Sequence, residues 1–391
     1  MKTTANSSTK IFPYNELPLP WKPPDWSAQF KTCAEDFVVD EKLSFNLDEV
    51  DNSAENNSYE HLYVRIEKKN LNTLAIVSFL TDYFQVATED IHFAGLKDKH
   101  AITRQWFSIR LPGQKRKIDT ALLKNFNLYR YVNPCSRHNS SLKTQLLSHP
   151  GQIKVECKIL EAIWHSVALK RGAISENQFS IVLRGLGAVN AEVLAMMQQL
   201  KHSGFANYYG LQRFGHNGRN LQNARSWFNG DIQVDKPQQS LLISSARSFL
   251  FNQILANRVL DNCWNVLKPA DYVQCNRGQR FFKFDQSDAD IQSKIDLGEC
   301  NPAVALFRRE EIGKGNDNAT IASSVYKLTP ELSNGLAKLS FNHRVRPLRV
   351  MPGNFSWTIE HQQNLLLKFS LPSGSYATTL IQQLGDIQHR Y

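Results

Sequence analysis

The stretch FAGLKDKHAITRQWF, residues 93–107, places one acid, Asp98, in a strongly basic part of the chain. From Ala94 to Lys117 there are seven lysines and arginines, and Asp98 is the only acidic residue. The flanking segments, Ile91 to Ala94 and QWFSIRL (105–111), have the pattern of strands, which predicts a loop around Asp98. Rigid strands hold such a loop in position, and neighbouring lysines keep a carboxylate ionised. Asp98 is therefore a candidate nucleophile, with a solvated surface acid as the alternative.

The residues before this loop predict two strands and a helix. FKTCAEDFVVDE (30–41) is expected to form one strand, and HLYVRIE (61–67) alternates apolar and polar residues like a half-buried one. Asn72 can cap the helix that follows, because a side-chain oxygen there accepts from a free backbone N–H. The apolar residues of that helix have helical spacing: Leu74, Val77, Leu80 and Phe84.

Further along the chain, IKVECKI (153–159) and QFSIVLR (178–184) predict strands, and Asn190 is expected to cap a helix. The composition changes near Gly204, and a long helix is expected from about Leu241 to Leu260. Residues 271–345 are expected to be irregular, and residues 364–384 to form a strand, a turn and a helix. Strands with helices between some of them favour the α+β class, with a mixed or antiparallel sheet.

The bulk composition narrows the class of partner and the compartment. The chain of 391 residues carries a net charge of +10, which favours a polyanionic partner and above all nucleic acid. No apolar run is long enough to span a bilayer, and the polar start has no signal sequence, so we expect a cytoplasmic protein. The six cysteines show no CxxC pair and no zinc-site spacing. We expect reduced thiols packed as small hydrophobes, and no metal.

Two other stretches combine a polar group, an aromatic ring and a cation. FKTCAEDFVVDE contains Lys31, Glu35 and Phe37, and ENQFSIVLR (176–184) contains Asn177 and Phe179. Each residue has an ordinary structural explanation, because a lysine near the start of a strand is usually solvated and an asparagine before a strand is usually a turn residue. A partial glycine motif, RGLG (184–187), lacks the third glycine of a nucleotide loop and predicts a tight turn.

These stretches together resemble one family. FAGLKDKHAITRQW is similar to the signature of the TruD family of tRNA pseudouridine synthases, built on Ala-Gly-x-Lys-Asp followed by Ala-x-Thr-x-Gln. Five more segments occur in the family's order: AEDFVVDE, ENQFSIVLR, NYYGLQRFG, SSARSFLFNQILANRV and LPSGSYATTLI. The chain departs from the family at Ala34, where proline is usual, and at Glu176, where glycine is frequent. Residues 113–165 are also longer than in short relatives.

The resemblance implies a fold and an activity. The fold would be α+β: a pseudouridine-synthase catalytic domain with a mixed, largely antiparallel sheet flanked by helices, plus an inserted α/β TRUD domain across a cleft. The catalytic domain would comprise residues 1–203 and 347–391, and the inserted domain residues 204–346. The activity would be isomerisation of uridine to pseudouridine in tRNA, expected at position 13. No cofactor is implied, tRNA is the expected partner, and the protein is expected to be a monomer.

The resemblance also implies roles for four catalytic residues. Asp98 would be the nucleophile, and whether it attacks C1′ of the ribose or promotes a glycal route stays open. Lys31 would supply the cation that offsets desolvation of the carboxylate. Phe179 would stack on the target uracil, and Asn177 would orient the Asp98 loop by hydrogen bonding.

Substrate contacts are expected from a wider set of residues. Phe37 would form a wall of the pocket, and Lys97 and Lys99 would be phosphate contacts or solvated charges. The other expected contacts are Glu35, His100, Gln105, Arg213 and Phe214. The inserted domain would offer a surface for RNA with further basic and aromatic residues: Arg219, Arg247, Arg277, Arg280 and Phe281. For each of these, a core position or a surface ion pair is the alternative.

Two other classes of function compete with this one. The first is a non-catalytic tRNA-binding or RNA-folding protein of the same architecture, which the complete set of Lys31, Asp98, Asn177 and Phe179 argues against. The second is a nuclease or hydrolase that uses Asp98 as a metal ligand. That alternative lacks the additional carboxylates that hard cations require.

Overall fold

A computed structural model describes residues 9–47, 60–113, 120–124, 156–170, 172–275, 280–285, 290–313 and 320–389. The fold is α+β, as predicted, and it divides into two compact units. The sheet unit comprises Ser27–Val189, Gly353–Ser373 and Ile387–Tyr391, and the helical unit comprises Met1–Trp26, Asn190–Pro352 and Gly374–Asp386. The domain bounds expected from sequence remain a prediction. Arg277 and Cys135 lie outside the described residues.

The strands in chain order are β1 (Ser27–Phe30), β2 (Phe37–Leu43), β3 (His61–Lys69), β4 (Ile91–Phe93), β5 (Ile102–Arg110), β6 (Glu156–His165), β7 (Ile174–Gly185), β8 (Phe205–Ala206), β9 (Tyr272–Cys275), β10 (Phe281–Lys283), β11 (Cys300–Ala305), β12 (Val345–Pro347), β13 (Arg349–Val350), β14 (Gly353–Glu360), β15 (Asn364–Pro372) and β16 (Asp386–His389). The α-helices are α1 (Thr73–Phe84), α2 (Thr120–Leu123), α3 (Ala191–Ser203), α4 (Arg219–Asn229), α5 (Lys236–Leu260), α6 (Ile291–Asp296), α7 (Ile321–Leu328), α8 (Pro330–Ala337) and α9 (Ala377–Ile381).

The large sheet of the sheet unit has the order β14-β15-β7-β2-β5-β3-β6, and β1, β4 and β16 pair beside this path. Its neighbours are antiparallel except for β2 and β5, which are parallel at the centre. The prediction of a mixed, largely antiparallel sheet is therefore confirmed. A parallel pair needs a long crossover connection, and here the chain between β2 and β5 includes β3, α1 and β4.

One face of this sheet packs against α1, and the other carries ion pairs beside a small apolar cluster of Tyr63, Trp106 and Leu169. Leu62, Val64 and Ile66 are fully buried with the apolar side of α1, so the predicted alternation of β3 is confirmed. The side chain of Asn72 caps α1 by accepting from the Ala75 N–H at 2.7 Å, also as predicted. On the opposite face, Arg65 of β3 pairs with Glu161 on the adjacent β6 and with Asp40 on β2, which lies beyond β5.

The helical unit is built around α5, which is buried along most of its length. This helix begins at Lys236, earlier than the Leu241 expected from its apolar pattern. Asp235 caps it by accepting from the Gln238 N–H at 2.9 Å. Beside α5 lie α4, α7 and α8, and a small antiparallel sheet has the order β10-β9-β11-β12. The prediction that residues 271–345 are irregular is therefore wrong, because these strands pair with one another over short lengths.

The N-terminal arm, residues 9–26, runs along α5 without regular structure of its own. The side-chain amide of Asn257 accepts from the Lys10 N–H at 2.8 Å and donates to the Lys10 carbonyl at 2.9 Å. One turn earlier, Gln253 makes the same pair of hydrogen bonds with the backbone of Phe12, at 2.7 and 3.1 Å. Two buried amides therefore fix the path of the arm.

Two other expectations were wrong. FKTCAEDFVVDE is not one strand: β1 ends at Phe30, Lys31 takes a left-handed φ of 59°, and a 3₁₀ turn at Ala34–Asp36 precedes β2. A left-handed φ at a residue other than glycine is uncommon and interrupts a strand, and the apolar pattern of the sequence does not predict it. The cysteines are also not all free thiols, because Cys275 and Cys300 form a disulfide between β9 and β11.

No helix in the described part of the chain has the length and apolar character needed to cross a membrane. The cytoplasmic location remains a prediction.

The arm gives the first test. Replacing Asn257 with leucine removes its two hydrogen bonds to the backbone of Lys10. Because each such bond contributes about 0.5–1.5 kcal/mol, we expect a loss of about 1–3 kcal/mol in the free energy of unfolding. Urea unfolding measures it, and trypsin should cut faster after Lys10. The matched control is Gln222→Leu on the exposed side of α4. Unchanged stability and cleavage in Asn257→Leu would show that the amide does not hold the arm.

Candidate active site

Asp98 lies in the loop between β4 and β5, as predicted, and internal hydrogen bonds fix the backbone of that loop. The fully buried Gln105 donates from Nε2 to the Gly95 carbonyl at 2.6 Å. Thr73, at the start of α1, donates from its hydroxyl to Gln105 Oε1 at 3.2 Å and accepts from the Lys97 N–H at 2.9 Å. Gln105 was expected to contact substrate. That expectation is wrong, because its amide is enclosed and already bonded to the loop.

A third attachment comes from Lys68, at the end of β3. Its fully buried ammonium donates to the Asp98 carbonyl at 2.7 Å and to the Leu71 carbonyl at 2.6 Å. Burial lowers the pKa of Lys68 to about 8, against the opposing effect of the Asp98 charge and with a smaller contribution from Lys97. A buried ammonium therefore donates a hydrogen bond to the main chain of the candidate nucleophile itself.

Sequence reasoning missed Lys68, although a signal was present. The alternation Leu62, Val64, Ile66 that marks the buried face of β3 reaches Lys68 two residues later. A lysine at an inward position of a strand needs internal acceptors, because burial of an unpaired charge is strongly unfavourable. An apolar pattern identifies the apolar residues of a buried face, but not a charged residue at the next position of the same face.

The carboxylate of Asp98 points the other way, toward solvent. Its side chain is 53% exposed, and Oδ2 lies 3.1 Å from Nζ of Lys31, whose side chain is only 6% exposed. The Lys31 ammonium also lies 4.2 Å from the ring centre of Phe37 and 5.2 Å from that of Phe30. Burial lowers the pKa of Lys31, while the ion pair with Asp98 raises it. The left-handed backbone at Lys31 allows this residue to leave β1 and face the loop.

A buried acid, Glu41, also holds the loop through Lys97. Nζ of Lys97 lies 2.8 Å from Oε1 of Glu41 and 2.6 Å from Oδ1 of Asn177. Glu41 is fully buried and also accepts from the Trp106 N–H at 3.0 Å. Lys97 therefore ties the loop to β2 and β7, and it is neither a solvated charge nor available for phosphate. Sequence reasoning missed Glu41, which follows Phe37 and Val39 at an inward position of β2.

Aromatic rings line the same face of the sheet. Phe179 on β7 lies opposite Val39 on β2 and Phe369 on β15. The rings of Phe179 and Phe369 stack, with centres 5.2 Å apart and planes 23° from parallel. Phe37 is buried, with its ring centre 6.0 Å from that of Phe179. Phe179 is half-buried, so part of its ring remains accessible to a ligand.

A concavity of about 420 Å³ also borders Phe179, but it does not include Asp98. Most of its lining residues alternate with the site residues along their strands, as Asp40 does with Glu41 and Gln178 with Asn177. This concavity therefore opens on the opposite face of the sheet from the site.

The remaining predicted residues of the sheet unit lie at or near the surface. Glu35 is exposed and forms an ion pair with Lys69, whose hydrogen bond lowers the pKa of Glu35. Lys99 is half-buried and His100 is exposed. The pKa of His100 is lowered, first by partial burial and then by the positive charge of Lys99. Their contacts with a substrate stay predictions.

Arg213 and Phe214 belong to the helical unit. The ring of Phe214 is fully buried and packs edge-on against Tyr14, with ring centres 5.5 Å apart. Phe214 is therefore a core residue and not a substrate contact. Arg213 is half-buried and donates to the Ser244 hydroxyl at 3.0 Å. Within the described residues, no group of three or more His, Cys, Asp and Glu side chains could hold a metal ion.

Comparison with known proteins identifies the family of the chain. The family model described as tRNA pseudouridine synthase D (TruD) matches residues 19–223 and 218–384. The protein belongs to the TruD family. A tRNA pseudouridine synthase D of Hydrogenovibrio crunogenus is 32% identical over 366 residues, 93% of this chain and 94% of the relative. One of Pseudomonas entomophila is 32% identical over 362 residues, 92% of each chain.

A solved structure from Methanosarcina mazei, described as a tRNA pseudouridine synthase D, has the same fold. Its TM-score is 0.61 at 17% identity, and the match covers 95% of this chain and 96% of the other. The resemblance to the TruD family drawn from sequence is thus confirmed, together with the α+β fold class.

The link between Lys97 and Glu41 gives the second test. Glu41→Leu leaves the Lys97 ammonium without its carboxylate and the Trp106 N–H unpaired, so we expect a loss of about 3–5 kcal/mol in unfolding free energy. The double variant Glu41→Leu with Lys97→Met removes both charges and should recover most of that loss. Urea unfolding of the four proteins measures the coupling. Additive effects in the double variant would mean that the two residues do not depend on each other.

Proposed function

We propose that this protein isomerises uridine in tRNA to pseudouridine, with the Asp98 carboxylate acting on the ribose of the target nucleotide. The observation that carries the proposal is the pairing of this half-exposed carboxylate with the mostly buried Lys31 on a fixed loop. Membership of the TruD family makes the protein an isomerase and supports tRNA as its substrate. The uridine at position 13 is the target implied by the resemblance.

The reaction exchanges one bond to the sugar for another. The bond from C1′ to N1 of uracil breaks, the base turns within the site, and a bond from C1′ to C5 forms. C5 gives up its proton and N1 gains one, so composition and oxidation state do not change. Asp98 either attacks C1′ or removes the proton from C2′, and both routes require the ionised form. Lys31 favours that form when the bound nucleotide excludes water.

The ring of Phe179 is the proposed platform for the uracil. Base–aromatic stacking stabilises an extruded base, and it offsets part of the few kcal/mol needed to unstack a nucleotide from folded RNA. A phenyl ring cannot accept a proton, so the C5 proton must leave to water or to another group. Phe37 and Phe369 support Phe179 on either side, which keeps the platform rigid.

The three attachments of the loop account for its rigidity. Thr73, Gln105 and Lys68 each bond a backbone atom within four residues of the chain, Gly95 to Asp98. A reacting group lowers the activation barrier most when its position is fixed before the substrate binds, because the entropy of placing it has already been lost in folding. The loop thus presents a carboxylate that solvent can reach from a backbone that cannot move far.

The direct test of the proposal is release of tritium from tRNA transcripts that carry uridine labelled at C5, with chelator present. We expect release by the wild type and none by Asp98→Asn, which loses the charged oxygen but should still bind tRNA. Asp90→Asn, in the turn before β4, is the matched control and should retain full activity. Binding without release by the wild type, over a full set of tRNAs, would favour a non-catalytic tRNA-binding protein.

The pKa of Lys68 gives a second kinetic test. Because burial lowers that pKa to about 8, the ammonium loses its charge as the pH rises through about 8, and the clamp on the Asp98 carbonyl weakens. We expect the kcat of the wild type to fall above pH 8 with little change in KM. Lys68→Met should have a kcat reduced about 10- to 100-fold at neutral pH and no fall near pH 8.

The groups that act on Lys68 are Asp98 and Lys97 in the loop, Cys157 on β6 and Glu41 on β2. The control for the lysine test is Lys158→Met on the neighbouring β6, which should keep the wild-type pH profile. Persistence of the alkaline fall in Lys68→Met would assign it to another group, with Lys31 as the first candidate.

A further inference from the structure

Two large apolar side chains at the candidate active site lie in solvent. Leu96, in the Asp98 loop, is 71% exposed, and Leu74, at the start of α1, is 61% exposed. Among the large hydrophobic residues that the structure describes, Leu297 alone is more exposed than either. A single exposed leucine is ordinary on a protein surface, but two such leucines beside one reactive carboxylate indicate a binding role.

One hydrogen bond brings the two leucines to the same place. The Lys97 N–H donates to the Thr73 hydroxyl at 2.9 Å. Leu96 precedes Lys97 and Leu74 follows Thr73, so the two leucines flank this bond. The loop and the first turn of α1 therefore carry neighbouring apolar residues.

Leu74 does not belong to the buried side of its helix. Its spacing with Val77 and Leu80 predicts a shared apolar face, and the structure corrects that prediction for Leu74. Val77 and Leu80 are buried in the core of the sheet unit, whereas most of the Leu74 side chain is in water. Because apolar groups stabilise a fold through the area that they bury, Leu74 contributes little to folding and is available to a ligand.

The backbone around Leu96 is fixed on both sides. Gln105 donates at 2.6 Å to the carbonyl of the preceding residue, Gly95, and Thr73 accepts at 2.9 Å from the N–H of the following one. A side chain on a fixed backbone has little conformational entropy left to lose on binding, which favours a contact made only in the complex. Leu96 is thus held out to solvent on the same rigid loop as the Asp98 carboxylate.

We propose that Leu96, with Leu74 beside it, enters the base stack of the RNA at the place that the target uridine leaves. Leucine is one of the apolar side chains that proteins insert between base steps. Extrusion of a nucleotide costs the stacking of its base, and an apolar group in the gap restores part of that contact. The inference rests on the proposed function, because it requires that a uridine is extruded toward Asp98.

The position of Leu96 suits the neighbours of the extruded nucleotide. Two residues of chain span at most about 7 Å, so the backbone of Leu96 lies within that distance of Asp98. When the ribose of a nucleotide meets the Asp98 carboxylate, the adjacent bases of its strand are close by. The surroundings favour RNA over a protein as the occupant, because residues 94–117 carry seven lysines and arginines against one acid.

The first test reports on the stack itself. The fluorescent base 2-aminopurine, which is quenched inside a stack, replaces the base that follows the target uridine in a tRNA transcript. The protein carries Asp98→Asn, so turnover plays no part. Binding should raise the fluorescence several-fold, because the uracil leaves the stack and a leucine does not quench. Addition of Leu96→Ala should remove most of that rise at saturating protein.

The second test asks whether the effect depends on the stack. In the same background, Leu96→Ala should raise Kd for the intact transcript about tenfold, as expected when a partly buried leucine is truncated. A transcript with abasic nucleotides on both sides of the target uridine offers no stack to enter. On that transcript the substitution should leave Kd unchanged. An equal loss on both transcripts would assign Leu96 a structural role and overturn the proposal.

Matched variants separate size from polarity. Leu96→Met keeps an apolar side chain of similar volume and should retain the wild-type Kd and fluorescence rise. Leu96→Asn, which is polar, should behave like Leu96→Ala. Leu297→Ala removes a leucine of the helical unit that is 74% exposed, and it should change neither measurement. Thermal unfolding checks that each variant is folded.

The double variant Leu74→Ala with Leu96→Ala gives the decisive result. A wild-type fluorescence rise and a wild-type Kd in this variant would contradict the inference. Fluorescence and Kd are measured without turnover, so they do not depend on catalysis by Asp98. Absence of tritium release by the wild type would instead contradict the proposed function, and the two failures are therefore distinguishable.

Discussion

The hydrogen bond from the buried ammonium of Lys68 to the carbonyl of Asp98 is the constraint on which the site depends. It joins the end of β3 to the middle of the loop, at the main chain of the candidate nucleophile itself. Gln105 and Thr73 hold the preceding residues in the same manner, through uncharged groups. Groups in the interior of the sheet unit thus hold the main chain of the loop. The half-exposed carboxylate of Asp98 is the part of the loop proposed to react.

This division explains why so many cations surround a single carboxylate. Lys68 bonds the backbone, Lys97 turns inward to Glu41 and Asn177, and Lys31 alone of the three pairs with the Asp98 side chain. These lysines come from three separate parts of the chain, and each has a different task. The acceptors that each lysine contacts in the folded protein distinguish these tasks, and the sequence alone does not show them.

Much of the fold can be predicted from local sequence patterns, whereas the left-handed turn and the buried charged residues cannot. The loop of Asp98, the caps Asn72 and Asn190 and the buried face of β3 were predicted because each depends on near neighbours in sequence. The break at Lys31 depends on a left-handed backbone that no neighbour requires. Glu41 and Lys68 were missed because their partners are distant in sequence, and the short strands of residues 271–345 depend on one another. The roles of Asp98, Phe179 and their neighbours came from the family resemblance.

The order of the chain has a consequence for biosynthesis. Phe179 stacks on Phe369 of β15, and the central segment of the helical unit, Asn190–Pro352, lies between β7 and β15 in sequence. While the ribosome is still translating that segment, β7 exposes an unpaired edge and its aromatic platform lacks one supporting ring. The sheet unit can close only in the last stage of synthesis, so a nascent chain stalled before residue 364 carries an open strand that invites aggregation.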